Sequence, residues 1–139
     1  MSDENEESEA EDEMMKFMQH VTQSSDLTSA ELELLLDSRS KHKIDFTLID
    51  IREIFEYSSV SIKGTDLLLP TSNIHTCMEQ LNLLKGHFLI FYCRTGNRTL
   101  QMLHILNRMG FTHIAHLTRG IVDFGGEKLK NAPLPKNIK

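Results

Sequence analysis

The chain is organised around an uninterrupted run of apolar and aromatic residues at 88–92, which a loop and an amphipathic repeat follow. A run of this length is typical of a parallel strand that is covered on both faces. Apolar residues then recur at helical spacing over 100–109, and Gly110 followed by Phe111 supplies a helix stop. The pattern therefore predicts a strand, a loop and a helix, with Cys93 at the carboxyl end of the strand.

Short apolar strands and helices alternate along the rest of the chain. Further strands are predicted at 24–27, 46–51, 67–70 and 113–117, and further helices at 28–37, 53–57 and 73–84. The helix at 28–37 begins with a capping box, in which the Thr28 hydroxyl and the Glu31 carboxylate each bond the other residue's backbone N–H. Since parallel neighbours need crossover connections, the alternation predicts an α/β fold: a doubly wound sheet of four or five parallel strands flanked by helices.

Charge divides the chain unevenly. Residues 3–13 hold eight acids and no base, so the remaining fifteen bases face twelve acids, a net charge of +3 within a total of −5. An acidic run of this kind is typical of a solvated, disordered tail. The sequence predicts four segments: an acidic disordered tail at 1–13, a short amphipathic helix at 14–24, a folded domain at 25–125 and a loosely packed C-terminal tail at 126–139.

Composition narrows the classes of function. No apolar run approaches a membrane span, and the acidic N-terminus is unlike a signal peptide, so a cytoplasmic protein with no membrane partner is expected. No nucleic-acid partner is expected either, because no stripe of basic residues is interleaved with aromatic residues. The seven histidines are scattered, and His113 and His116 lie three apart on a predicted strand and so face opposite sides. Each histidine is expected to be solvated or packed, and neither a metal nor a nucleotide cofactor is predicted.

The loop after the central strand contains the residues most suited to chemistry. It opens onto a helix N-terminus, whose unpaired N–H groups carry partial positive charge and favour an anion. A positive φ at Gly96 would turn successive N–H groups inward as an anion nest. These donors, with Arg94 and Arg98, are expected to lower the pKa of Cys93 and make its thiolate a nucleophile. Cys77, on the inner face of a predicted helix, is expected to be a buried packing residue.

This loop resembles the active-site loop of rhodanese-like sulfurtransferases, which is usually written C-R-x-G-x-R-S/T. The matching residues are Cys93, Arg94, Thr95, Gly96, Asn97, Arg98 and Thr99. Weaker matches to the family's D-x-R-E, E-F/Y-x-x-G-H-I-x-G-A and L-x-G-G-x-x-x-W motifs lie at 48–53, 56–65 and 117–124. The resemblance covers roughly 27–124. It departs from the family's pattern outside the loop, at Val60, Ser61, Thr65, Arg119 and Phe124.

The resemblance implies a sulfurtransferase that moves sulfane sulfur from a small anionic donor, thiosulfate or a persulfide, through a persulfide on Cys93. The acceptor would be a thiol, cyanide or a protein. Within the anion-binding loop, Arg94 is expected to receive the donor and Arg98 to anchor the backbone. Asp50 and Arg52 are expected to support the floor of the loop, either as a buried ion pair or through a pair with Glu56.

Two other functions remain open. A cysteine phosphatase or arsenate reductase also holds a thiolate in an anion-binding loop, but that loop normally has one residue more than the four that separate Cys93 from Arg98. The second alternative is a sulfur-carrier or sensor module that acts by docking to a protein partner, with the acidic tail or the methionine-rich helix as the contact.

Overall fold

The computed structural model describes residues 2–136, and the side chains of residues 2–8, 10 and 11 are outside that description. At its centre is a five-stranded parallel sheet in the order β1-β6-β5-β2-β4. The strands are β1 (Asp26–Leu27), β2 (Thr47–Asp50), β4 (Leu67–Leu68), β5 (Leu89–Tyr92) and β6 (Ile114–Leu117). The apolar run predicted as the central strand is therefore the middle strand of the sheet, and the predicted parallel α/β architecture is confirmed.

Helices cover both faces of this sheet. They are α1 (Ser2–Ser24), α2 (Ser29–Ser40), α3 (Ile54–Ser59), α4 (Ile74–Leu83) and α5 (Asn97–Arg108), with a 3₁₀ turn at Ile121–Asp123. One buried cluster packs α1 and α2 against one face, and a second packs α4 and α5 against the other. Alternation along β5 divides its side chains between the two clusters, with Ile90 and Tyr92 in the first and Phe91 in the second. Cys93, two residues after Phe91, lies on the α4 and α5 side.

The N-terminal segment differs from the prediction. A disordered tail was expected at 1–13 and a short helix at 14–24, whereas α1 is one helix over Ser2–Ser24, and residue 1 lies outside the described range. The physical reason is that Glu is a good helix former and that carboxylates near a helix N-terminus are stabilised by the helix dipole. The C-terminal half of α1 packs on the sheet through Met18 and Val21, which are both buried.

The C-terminal segment also differs in part. The expected loose tail at 126–139 contains a short strand, β7 (Lys128–Leu129), which pairs antiparallel with β3 (Ser61–Ile62); residues 137–139 of that tail lie outside the described range. Both strands are two residues long and each pairs one polar with one apolar residue, so neither forms an apolar run or a hydrophobic period that the sequence could reveal. Among the helices of residues 2–136, none is long and apolar enough to span a membrane.

Candidate active site

The loop at the carboxyl end of β5 folds around the sulfur of Cys93. Gly96 adopts a φ of 99° immediately before α5, which turns its backbone N–H toward the sulfur at 3.2 Å. The Thr99 hydroxyl lies 3.6 Å from the same sulfur, within the looser range of hydrogen bonds to sulfur. Cys93 is 1% exposed. The predicted inward turn of the N–H groups is therefore present, and Gly96 is the residue that produces it.

Hydrogen bonds determine the charge state that this loop favours. Burial raises the pKa of the Cys93 thiol, but hydrogen bonds lower it by more, so the net shift is downward. The hydrogen bonds come from the backbone N–H and hydroxyl of Thr99 and from the backbone N–H groups of Gly96 and Arg98. For Cys77, which is a buried residue of α4, burial acts unopposed and raises the pKa to about 11. The two thiols of the chain therefore differ strongly in their tendency to ionise.

A neighbouring segment, residues 118–122, holds the loop in place. The backbone N–H of Ile121 donates to the Cys93 carbonyl at 2.9 Å, and that of Val122 donates to the Arg94 carbonyl at 3.2 Å. Contact between the two segments is so close that a Cβ on Gly96 would overlap the Thr118 carbonyl. Glycine at position 96 is thus required both by its φ and by the lack of space.

The two arginines of the loop have different surroundings. Arg98 forms a two-pronged ion pair with Glu56, at 3.2 and 3.1 Å, which anchors the start of α5 to α3. Burial raises the pKa of Glu56, but the hydrogen bonds and charge of Arg98 lower it by more. Arg94 is exposed, and it makes no ion pair with any side chain that the structure describes. Of the two charges, that of Arg94 is the one available to an incoming anion.

A buried ion pair lies beside the loop, at the end of β2. Asp50 and Arg52 are 0% and 3% exposed, and Asp50 accepts three hydrogen bonds from the guanidinium at 2.8–3.1 Å. Arg52 also donates to the Val60 carbonyl at 2.7 Å. Burial raises the pKa of Asp50, which Arg52 opposes. Of the two arrangements that the sequence left open, the structure has the pair between Asp50 and Arg52, and Glu56 bonds Arg98 instead.

One residue near the site was not singled out from the sequence. His116, expected to be a solvated or packing histidine, is 2% exposed, and its Nδ1 lies 2.7 Å from the Thr99 hydroxyl oxygen. The β5–β6 register pairs Phe91 with His116, which places the histidine on the same face as Cys93. Alternation along both strands contained this signal. Within the described part of the chain, no cluster of three or more metal-ligating side chains occurs.

A buried cysteine whose sulfur accepts the Gly96 N–H and lies beside the Thr99 hydroxyl, at the carboxyl edge of a parallel sheet, is a candidate site for thiolate chemistry. The sequence profile described as Rhodanese-like domain matches residues 28–127. The chain belongs to the rhodanese-like domain family, which includes sulfurtransferases.

Individual relatives agree with this assignment. The chain is 35% identical over 98 residues to a Mycobacterium tuberculosis protein named probable adenylyltransferase/sulfurtransferase MoeZ; the match covers 70% of this chain and 24% of that protein. This chain therefore spans about a quarter of the length of that relative.

Two solved structures show the same fold. One is a thiosulfate sulfurtransferase from Pseudomonas aeruginosa, with a TM-score of 0.66 and 21% identity over 88% of this chain and 24% of that one. The other is a rhodanese-related protein from Thermoplasma volcanium, with a TM-score of 0.59 and 22% identity over 75% of this chain and 96% of that one. At these identities, the likeness concerns the fold alone.

Proposed function

We propose that this chain transfers sulfane sulfur through a persulfide on Cys93, from a small anionic donor, thiosulfate or a persulfide, to a thiophilic acceptor. The observation that carries the proposal is the set of hydrogen bonds to the Cys93 sulfur, which favours the thiolate that such a transfer needs. Membership of the rhodanese-like family supports the same reaction class.

The reaction consists of two displacements at sulfur. In the first, the Cys93 thiolate attacks the outer sulfur of thiosulfate, a sulfur–sulfur bond to Cys93 forms, the bond within thiosulfate breaks, and sulfite leaves with the electron pair. In the second, an acceptor such as cyanide or a thiolate attacks the outer sulfur of the persulfide, and the Cys93 thiolate leaves. The outer sulfur of the persulfide is anionic, so the converging N–H groups that favour the thiolate also stabilise the intermediate.

Two features of the site favour a donor with a slender reacting end and a negative charge. Because Cys93 is 1% exposed, a donor must present a single unhindered sulfur atom to reach it. Arg94 follows the cysteine directly and, unlike Arg98, makes no ion pair with the described side chains, so we assign it the reception of the donor's charge. Arg94→Gln should therefore raise the KM for thiosulfate several-fold, and it should affect alkylation of Cys93 by neutral iodoacetamide much less.

The decisive experiment measures thiocyanate release from thiosulfate and cyanide. Cys93→Ala should abolish release and prevent the gain of one sulfur atom, as seen by mass spectrometry after exposure to thiosulfate. Cys77→Ala is the matched control, because Cys77 is equally buried but lies on α4 with no donor to its sulfur among the described residues, and this variant should keep the activity. Equal rates for wild type and Cys93→Ala would reject the proposal.

The same experiment separates an enzyme from a sulfur-carrier or sensor module. An enzyme should release many molecules of thiocyanate per protein, since small acceptors reach the persulfide. A carrier should gain one sulfur atom on Cys93 and hold it in the presence of cyanide or a small thiol. Phosphatase or arsenate reductase activity that depends on Cys93, without persulfide formation, would favour the remaining alternative.

A further inference from the structure

Four side chains form a continuous line from the candidate site to the surface. The Cys93 sulfur lies 3.6 Å from the Thr99 hydroxyl, which lies 2.7 Å from Nδ1 of His116. The opposite ring nitrogen of His116, Nε2, is buried, makes no hydrogen bond within residues 2–136, and lies 3.4 Å from an Asp26 carboxylate oxygen. Asp26 is exposed. The proposed function uses the first two of these side chains and leaves the last two unexplained.

The Thr99 hydroxyl has one hydrogen and three acceptors within reach. They are the Cys93 sulfur, His116 Nδ1 and the Gly96 carbonyl, which lies at 3.0 Å and already accepts the Leu100 N–H. If Nδ1 carries no proton, the Thr99 hydroxyl donates its hydrogen to Nδ1 and has none to donate to the sulfur. If Nδ1 carries a proton, Thr99 accepts that proton's hydrogen bond and its own hydrogen is free for the sulfur.

We propose that His116 is the proton acceptor of the Cys93 thiol, acting through the Thr99 hydroxyl, so that the reactive state is a thiolate paired with an imidazolium across Thr99. The proton balance is simple. The thiol proton moves to the Thr99 oxygen, the Thr99 hydrogen moves to Nδ1 of His116, and the hydrogen on Nε2 stays in place, 3.4 Å from the Asp26 carboxylate. The hydroxyl is regenerated and then donates to the thiolate, and the reverse movement restores the neutral pair.

The surroundings of His116 agree with this role. Burial lowers the pKa of His116 and Asp26 opposes the shift; the net lowering favours a neutral ring, which can accept a proton. His116 lines a groove of about 480 Å³ between the end of α1 and α5. Of the titratable groups around the ring, Asp26 on β1 lies 3.4 Å from Nε2, His104 on α5 lines the same groove, and the Cys93 sulfur lies beyond the Thr99 hydroxyl. The end of α1 lines the groove with uncharged side chains.

The first test needs no substitution. The ¹⁵N NMR shifts of the His116 ring report which nitrogen carries a proton, before and after the Cys93 thiol is capped with methyl methanethiosulfonate, a small neutral reagent. Capping removes the thiolate, so His116 should lose protonation and titrate at lower pH, whereas His104 should be unaffected. A His116 titration that capping leaves unchanged would overturn the proposal.

The second test follows the rate of Cys93 alkylation by iodoacetamide against pH. His116→Gln keeps a hydrogen-bonding side chain but cannot hold the proton, so its alkylation at pH 6.5 should be about tenfold slower than wild type, converging at high pH where every thiol is ionised. His104→Gln, an exposed histidine of the same groove, is the matched control and should follow the wild-type profile. Coincident wild-type and His116→Gln profiles would contradict the inference.

Two further variants keep the test independent of whether His116→Gln folds. Asp26→Asn changes an exposed side chain and should slow alkylation at pH 6.5 by about two- to threefold, because the imidazolium loses its carboxylate. Thr99→Val should slow it at least as much as His116→Gln, and Thr99→Ser, which restores the hydroxyl, should recover most of the loss. An unshifted Asp26→Asn profile, or equal Val and Ser profiles, would overturn the proposal.

This inference rests on the proposed function only in taking the thiolate as the reactive form of Cys93. Alkylation and NMR need no sulfur donor or acceptor, so the two ideas fail separately. A normal pH dependence on His116 in a protein that releases no thiocyanate would reject sulfur transfer alone. Active sulfur transfer with a profile indifferent to His116 would reject the relay alone.

Discussion

Gly96 and Gly86 allow the geometry of the Cys93 loop to be tested with a matched pair of substitutions. Both glycines have a positive φ, 99° at Gly96 and 97° at Gly86. They differ in the space around them. A Cβ at Gly86 would meet no atom within 4 Å, whereas a Cβ at Gly96 would overlap the Thr118 carbonyl. Alanine at either site therefore strains the backbone equally, and only Gly96→Ala also pushes two segments apart.

The expected cost can be estimated in two parts. An L-residue in the left-handed region costs about 1–2 kcal/mol, which should be the whole effect of Gly86→Ala. Gly96→Ala adds about 1–3 kcal/mol for the displaced backbone. Displacement also moves the Gly96 N–H away from the Cys93 sulfur. Since a hydrogen bond to a charged group contributes about 1.5–3 kcal/mol, the thiolate fraction, and with it the alkylation rate at neutral pH, should fall about tenfold or more.

Two measurements check this reasoning on the same pair of variants. Urea unfolding should rank the stabilities as wild type, Gly86→Ala, then Gly96→Ala. Iodoacetamide alkylation of Cys93 at pH 7 should be unchanged in Gly86→Ala and slower in Gly96→Ala. If Gly96→Ala matched Gly86→Ala in both stability and thiol reactivity, the close contact with Thr118 would not limit stability and the Gly96 hydrogen bond would not lower the Cys93 pKa.

Two other substitutions or conditions test neighbouring features. At neutral pH, alkylation should label Cys93 far more than Cys77, because hydrogen bonds lower the pKa of Cys93 whereas burial raises the pKa of Cys77 to about 11. This selectivity, measured by peptide mass mapping, should shrink as the pH rises toward 11. Equal labelling of the native protein at pH 7 would contradict the assignment. Arg52→Met should cost about 3–5 kcal/mol in urea unfolding, because it leaves Asp50 buried without its partner, and a loss below about 1 kcal/mol would show that the pair is dispensable.

Features encoded within a few neighbouring residues were predictable from the sequence. The capping box has both of its hydrogen bonds, from Glu31 N–H to the Thr28 hydroxyl at 3.2 Å and from Thr28 N–H to Glu31 at 2.9 Å. The stop after α5 has Gly110 at a φ of 90° and the Phe111 N–H bonded to the Leu106 carbonyl. Local signals of this kind depend only on the backbone hydrogen bonds at helix ends, so they can be read from adjacent residues without knowledge of the tertiary contacts.

Features that depend on distant partners were not predictable. Arg98 and Glu56 are 42 residues apart, and nothing in either neighbourhood indicates the other. The pairing of β3 with β7 likewise joins two-residue strands without a period of their own. His116 is an intermediate case, since strand alternation and the β5–β6 register together place it on the face of Cys93. The spacing between His113 and His116 bears only on a metal site within one strand, whereas the neighbour of His116 that matters lies across the sheet on β5.

The surroundings of the Cys93 sulfur separate two tasks that the sequence assigned jointly to amides and arginines. The donors that lower the pKa of Cys93 are neutral groups of the loop, foremost the backbone N–H and hydroxyl of Thr99, and the Arg98 guanidinium is bound by Glu56. Neutral donors fixed by the backbone keep their effect in any salt, whereas an exposed charge such as that of Arg94 is screened. The lowering of the Cys93 pKa therefore comes from the fold itself, whereas the attraction of an anionic donor that we propose for Arg94 should weaken as salt is added.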